Sequence, residues 1–385
     1  MSTGYEFGII GAGVHGASAA YHLAGRGFST VVFERGTVAS GPTGLSSGIV
    51  RSYYTNAFLA QVARDSADFL AGFGSPEDTG LVRTGGLYLH GPEDAPSVLE
   101  TARGLSNLGI SHQVLSTSDL ENRFPTLDLA GVGIGVWEPG AGYADPHRTT
   151  SGLVAAARHR GATLLQNAAV GAIEERSTGV RVGLTAGPVY EVDRLLVAAG
   201  PWTRPLVAQV GANLPLTAER QVVAGFRQSD SLLYKAFPHF LADVAGGYYS
   251  RPHGANEFLL GALTPTGPVD PDDFPARVTD TEFAWLADRA ITRIPARHAA
   301  RAGTSWASLY DVSPDWQPVI GSVSEHVYVD AGTSGHGFKL APVLGNHVAR
   351  MLIGEADPRL SQFSPDRFTC GERLGSGFGA ARILG

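Results

Sequence analysis

The chain has 385 residues, 43% hydrophobic and 17% charged, with a net charge of −7. That composition supports sizeable cores, excludes a disordered chain and argues against nucleic acid or an anionic membrane as a general partner. A single cysteine, Cys370, excludes an intrachain disulfide and speaks against a cysteine-based metal site. The length predicts two or three domains. The start lacks a basic segment with a continuous apolar core, and no uncharged apolar run approaches the ~20 residues of a membrane span. A soluble cytoplasmic protein is therefore expected. The basic residues are almost all Arg; the only lysines are Lys235 and Lys339.

Residues 5–10 read as a short apolar strand, followed at once by Gly11-Ala12-Gly13-Val14-His15-Gly16. Residues 17–24 form helix, Gly25-Arg26-Gly27 stops it, and 30–34 is a second apolar strand ending in Glu34. This is the βαβ dinucleotide fingerprint with its context intact. Gly11 permits the tight turn, Gly13 admits a pyrophosphate to the backbone, and Gly16 lets helix and strand pack. The helix N-terminus offers N–H groups to the phosphates. Glu34 stands at about the ~20-residue offset of an acid that binds a ribose hydroxyl.

Residues 36–48 form a loop rich in Gly, Ser and Thr, and Ile49-Val50 resumes apolar character. Helices are expected over 57–73 and over 95–108, the latter interrupted at Gly104. Strands are expected over 85–90 and 131–137, with Glu138-Pro139-Gly140 as a turn. Asp145 caps a helix that begins at Pro146 and ends at Gly161. Strands at 163–165, 169–173, 180–184 and 195–198 follow. The runs 221–226, 234–244, 247–250 and 258–263 predict an antiparallel sheet. Residues 274–293 read as helix, 326–331 as strand and 341–353 as helix. The Gly-rich stretch after Phe368 predicts a poorly ordered tail. No His/Cys/carboxylate spacing points to a metal.

Four stretches carry a family. They are the N-terminal fingerprint, the run from Gly44 to Tyr54, the strand end Val197-Ala198-Ala199-Gly200-Pro201-Trp202, and a C-terminal pair. That pair is Trp306 to Gly321 and Gly332 to Lys339. The chain resembles the flavoprotein amine oxidoreductases typified by D-amino acid oxidase, glycine oxidase and sarcosine oxidase. Gly335-His336-Gly337-Phe338-Lys339 looks most like monomeric sarcosine oxidase, and 306–321 looks equally like the sarcosine oxidase β subunit and imino-acid dehydrogenases.

The resemblance implies an α/β fold, a Rossmann-like FAD-binding domain interleaved with an α+β substrate domain containing a largely antiparallel sheet. The expected division is 1–80, 143–213 and 314–370 for FAD, 81–142 and 214–313 for substrate, and 371–385 as a flexible tail. It also implies oxidation of a small secondary, N-methyl or cyclic amino acid by hydride transfer to flavin N5. O₂ or another acceptor would take the electrons. A 2-hydroxy-acid dehydrogenase, or a flavin-bearing electron-transfer subunit, would fit the same motifs.

By analogy, Arg51 and Lys339 clamp the substrate carboxylate. The plainer alternative for Arg51 is a structural ion pair. Lys339 at a helix start is disfavoured by the dipole, which strengthens a functional reading. Tyr249 and Tyr310 match cavity-lining aromatics, or are ordinary core tyrosines. His336 is a structural histidine or a base. Ser46 and Ser47 match ribityl or phosphate contacts. The cofactor set implied is Gly11, Gly13, Val14, His15, Gly16, Glu34, Arg35, Ser46, Ser47, Val170, Ala199, Gly200, Trp202, Gly335, Gly337, Phe338 and Lys339. Relatives hold FAD through a cysteine at the place of Ser308, and a serine cannot form that thioether, so non-covalent FAD is expected. Relatives that are oxidases carry a lysine near flavin N5 where Leu259 stands here. That points to a dehydrogenase or a slow oxidase, unless Arg251 or His253, on the preceding turn, supplies the charge.

Overall fold

The computed structural model describes residues 4–74, 76–231, 235–264 and 266–375. Its first sheet has a parallel centre. Val327–Ala331, Val189–Val197, Gly4–Ile10, Thr30–Phe33 and Thr163–Leu165 lie side by side, each parallel to the next. Every residue of Thr30–Phe33 is buried, as strands covered on both faces require. Val170–Arg176 and Gly179–Leu184 extend this sheet in antiparallel fashion. Val319–Ser322 pairs antiparallel with Val327–Ala331.

The second sheet runs Gln113–Leu115, Ile134–Glu138, Gly86–His90, Phe240–Asp243, Tyr248–His253, Glu257–Ala262 and Thr217–Arg227, with Arg301–Val312 on the far side of the last. It is antiparallel except between Phe240–Asp243 and Gly86–His90. Period-2 alternation sends neighbours to different cores. Tyr248 packs with Leu260, Leu286 and Ala290 of the helix Asp280–Arg293. Tyr249 points to the opposite face and joins the core of the first helix. A small third sheet, Ile49–Val50, Gly142–Tyr143 and Val82–Arg83, joins the segments between them. The first sheet thus draws its strands from 4–33, 163–197 and 319–331, and the second from 86–138, 217–269 and 301–312. On that membership we propose the division into interleaved domains given above.

Several expectations need correction. The helix Ala95–Asn107 runs through Gly104 without a break. Glu138 ends a buried strand and is not a turn residue. The helix Asp280–Arg293 starts six residues later than expected, at the capping box of Thr279 and Glu282; Phe274 and Val278 pack as loop residues instead. The C-terminal helix, Gly337–Leu352, begins a turn earlier than expected and holds Pro342 inside it. Arg251 and His253 lie in the strand Tyr248–His253, not on a turn. The run 234–244 begins at Tyr234, outside the described residues; its strand is Phe240–Asp243. Of the expected tail, 376–385 lie outside the described residues, and 371–375 hold no helix or strand. Among the described residues, no helix is long and apolar enough to cross a membrane.

Candidate active site

The fingerprint folds as its residue types dictate. Gly11 has φ +106°, and a Cβ there would stand 2.4 Å from the Ala198 carbonyl oxygen. A Cβ on Gly16 would stand 2.0 Å from the Gly11 oxygen, so only glycine lets the helix Val14–Ala24 sit this close. No side chain caps that helix at Gly13. Glu34 closes the loop: Oε2 accepts from the Ala12 N–H at 2.8 Å and Oε1 from the Gly36 N–H at 2.7 Å.

A cavity of about 750 Å³ opens beside this loop and is walled by residues of both large sheets. Gly11, Gly13, Val14 and His15 line it, and Gly16 lies outside the wall. Glu34, Arg35, Val170, Ala199, Gly200 and Trp202 also line it. The Arg35 guanidinium lies 3.6 Å above the Trp202 ring. Trp202 Nε1 donates to Asp272 at 2.8 Å. His15 Nδ1 sits 2.8 Å from Asp330 Oδ2. Burial disfavours the charged imidazole, but Asp330 and Asp311 outweigh it and raise the pKa of His15.

The other part of the wall holds the expected clamp. Arg51 follows Ile49–Val50 directly and is 2% exposed. Its Nη1 donates to the Tyr53 carbonyl, and its guanidinium lies 4.3 Å from the Tyr54 ring centre. Lys339 occupies the first turn of Gly337–Leu352 and is 6% exposed. Among the described residues its ammonium has no hydrogen-bond or carboxylate partner. Burial, and then the nearby Arg51 charge, hold its pKa well below the usual lysine value. Gly335, Gly337 and Phe338 join it in the wall, as do Ser46 and Ser47 from the earlier loop.

Tyr249 and Tyr310 both line the cavity, and burial raises the pKa of each. His336 does not belong to the wall; it is 1% exposed, with its ring 5.6 Å from that of Tyr54. Arg251 donates from Nε to the Ser47 carbonyl and lies over the Tyr143 ring at 4.3 Å.

A sequence profile of the family described as FAD dependent oxidoreductase matches residues 6–351. This chain belongs to that family. Peroxisomal sarcosine oxidase of Mus musculus is 27% identical over 354 residues, covering 88% of this chain and 89% of that protein. Monomeric sarcosine oxidase of Streptomyces avermitilis is 28% identical over 385 residues, covering 95% and 98%. The crystal structure of L-proline dehydrogenase from P. horikoshii matches with a TM-score of 0.88 at 22% identity, over 97% of this chain and 100% of that one. That last likeness concerns the fold alone.

The residues of this FAD-dependent oxidoreductase fit its cofactor. The helices Val14–Ala24 and Gly337–Leu352 begin without side-chain caps, and the first residue of each lines the cavity. The Val14 N–H donates to the Thr43 hydroxyl at 3.2 Å, and the remaining first-turn N–H groups of these helices suit a diphosphate and other electron-rich oxygens. Ser308, 5% exposed, lines the cavity as well. Two polar residues escaped the sequence reading. Gln221 lines the cavity with a buried Nε2 that has no partner among the described residues. Glu138, 3% exposed, accepts from the Ser52 N–H at 2.6 Å and the Tyr88 hydroxyl at 2.7 Å. Both sit at inward positions of strands, where a polar residue is itself a signal.

Proposed function

We propose that this FAD-dependent oxidoreductase oxidises the C–N bond of a small secondary, N-methyl or cyclic amino acid, with FAD held non-covalently. The observation that carries this reading is the buried Lys339 amine, without a partner among the described residues and beside Arg51, in the cavity wall. An unpaired buried cation is costly. An anion delivered by the substrate removes that cost, and a guanidinium takes a carboxylate with two parallel bonds. The relatives that carry sarcosine oxidase names support an amine next to that carboxylate.

FAD supplies the hydride acceptor. Arg51 and Lys339 would hold the carboxylate, and Tyr249, Tyr310, Phe240 and Leu263, which line the same cavity, would exclude water around the bound substrate. Ser308 offers a hydroxyl where a thiolate would be needed for a thioether. The test is to mix the protein anaerobically with N-methyl, cyclic and primary amino acids and with 2-hydroxy acids. Bleaching of the yellow flavin by an N-methyl or cyclic amino acid is expected. Bleaching by hydroxy acids alone overturns the reading.

A further inference from the structure

Glu138 ends the strand Ile134–Glu138 in the antiparallel sheet, while Arg51 hangs from the small sheet through Ile49–Val50. The two are joined by two routes. Glu138 Oε1 accepts from the Ser52 N–H at 2.6 Å. Its Oε2 accepts from the Tyr88 hydroxyl at 2.7 Å. The Tyr88 ring in turn packs on the Tyr53 ring with centres 4.4 Å apart, and the Tyr53 carbonyl accepts from Arg51 Nη1. Neither Glu138 nor Tyr88 belongs to the cavity wall.

We propose that Glu138 is a positioning residue: it fixes the peptide 51–53 against the antiparallel sheet and so aims the Arg51 guanidinium into the cavity. This rests on the reading of Arg51 and Lys339 as a carboxylate clamp. Both Glu138 oxygens accept, so the group is held as a bonded acceptor. A carboxylate bonded on both oxygens, with the segment it grips packed on its other donor, defines one orientation and not a range. Burial pushes its pKa up, against the pull of Tyr88, Ser52 and Arg51.

The experiment uses the full FAD-loaded chain and reads the dissociation constants of acetate and benzoate from the perturbation of the flavin spectrum. Glu138→Gln keeps an acceptor for Ser52 and a partner for Tyr88; Glu138→Ala removes both. Glu138→Ala should weaken carboxylate binding about tenfold, the loss of about one bond to a charged group. In turnover it should raise KM more than it lowers kcat. Glu138→Gln should stay within about threefold of the parent. Tyr88→Phe, which leaves the carboxylate in place, should fall between them and serves if Glu138→Ala does not fold. Parent-like binding in Glu138→Ala, or in Tyr88→Phe where the alanine variant does not fold, overturns the inference. So does Glu138→Gln as weak as Glu138→Ala. Lys339→Met is the control. If it leaves both constants unchanged the clamp itself is wrong, whereas weakening by Lys339→Met alone removes only the role of Glu138.

Discussion

At the scale of single residues, Lys339 makes the sharpest claims. A hydrogen bond to a charged group contributes ~1.5–3 kcal/mol, so Lys339→Met should lower kcat/KM by roughly one to two powers of ten at ~1.4 kcal/mol per tenfold. FAD should stay bound. The pH dependence follows from the depressed pKa. A bound carboxylate favours the ammonium and raises that pKa again. Binding of acetate should therefore be flat below the depressed value and weaken as pH climbs through it, with a proton taken up on binding. Calorimetry in buffers of different ionisation heat measures the uptake, and Lys339→Met should abolish it.

The neighbouring question is the electron acceptor. Leu259 is 2% exposed and pairs across the sheet with Arg251. The Arg251 guanidinium is committed to the Ser47 and Pro252 carbonyls. Neither Leu259 nor Arg251 lines the cavity, whose Arg and Lys residues are Arg35, Arg51 and Lys339. Reducing O₂ passes through an anion that a fixed positive charge stabilises, and with Arg51 and Lys339 taken by the substrate carboxylate no further lysine or arginine of the wall is left beside it. Substrate-reduced enzyme mixed with air-saturated buffer should thus reoxidise more slowly than it turns over with an artificial acceptor. Reoxidation as fast as turnover would count against this.

At the scale of elements, the helix that carries Lys339 is braced by side chains of its neighbours around Pro342, whose carbonyl accepts from Ser18 Oγ at 3.1 Å. Pro342 has no N–H and interrupts the helical ladder. Ser66, fully buried on the helix Ala57–Gly72, bridges the place: its Oγ donates to the Leu340 carbonyl and accepts from the Val343 N–H, both at 3.1 Å. Ser66→Ala leaves both groups without that partner, a cost of about 1–3 kcal/mol, and should lower the thermal midpoint while loosening carboxylate binding. Unchanged values on both would show that the bridge is dispensable.

This helix also shows where the sequence was legible. Its apolar spacing was plain. Its first turn was not, because Pro342 reads as an N-terminal residue and the Ser66 bridge lies far away in sequence. The fingerprint was readable because its glycines answer to local backbone geometry. The place of Arg51 and Lys339 in one cavity wall was readable through family motifs. Glu138 and Gln221 were not, since their meaning lies in partners and cavities that only the assembled sheet creates. The long strand Arg301–Val312 went unread for a similar reason: its pairing with Thr217–Arg227 is remote.

At the scale of the whole molecule, a buried ion pair fastens the last described segment. Arg367 donates to Asp315 at 2.9 and 3.0 Å, with both side chains shielded from solvent. Burial would raise the Asp315 pKa, but Arg367 wins and lowers it. A carboxylate depressed in the folded state contributes stability above the ordinary carboxylate range, and loses it as pH falls through the depressed value. The thermal midpoint should therefore drop in acid below about pH 4, and Asp315→Asn should flatten that drop. Removing one partner of such a pair costs about 3–5 kcal/mol, so Arg367→Ala should be much less stable at neutral pH.

The cavity wall takes residues from the first turn of the chain and from Lys339, close to the end of the family match. During synthesis, the phosphate loop leaves the ribosome long before the helix that completes the site. A nascent chain can display the Gly11–Gly16 turn but cannot close around a flavin until Gly337–Leu352 has emerged. Capture of FAD then becomes a final act of maturation, and chains broken off early should be colourless. The cofactor reports on whether synthesis has passed the helix Gly337–Leu352.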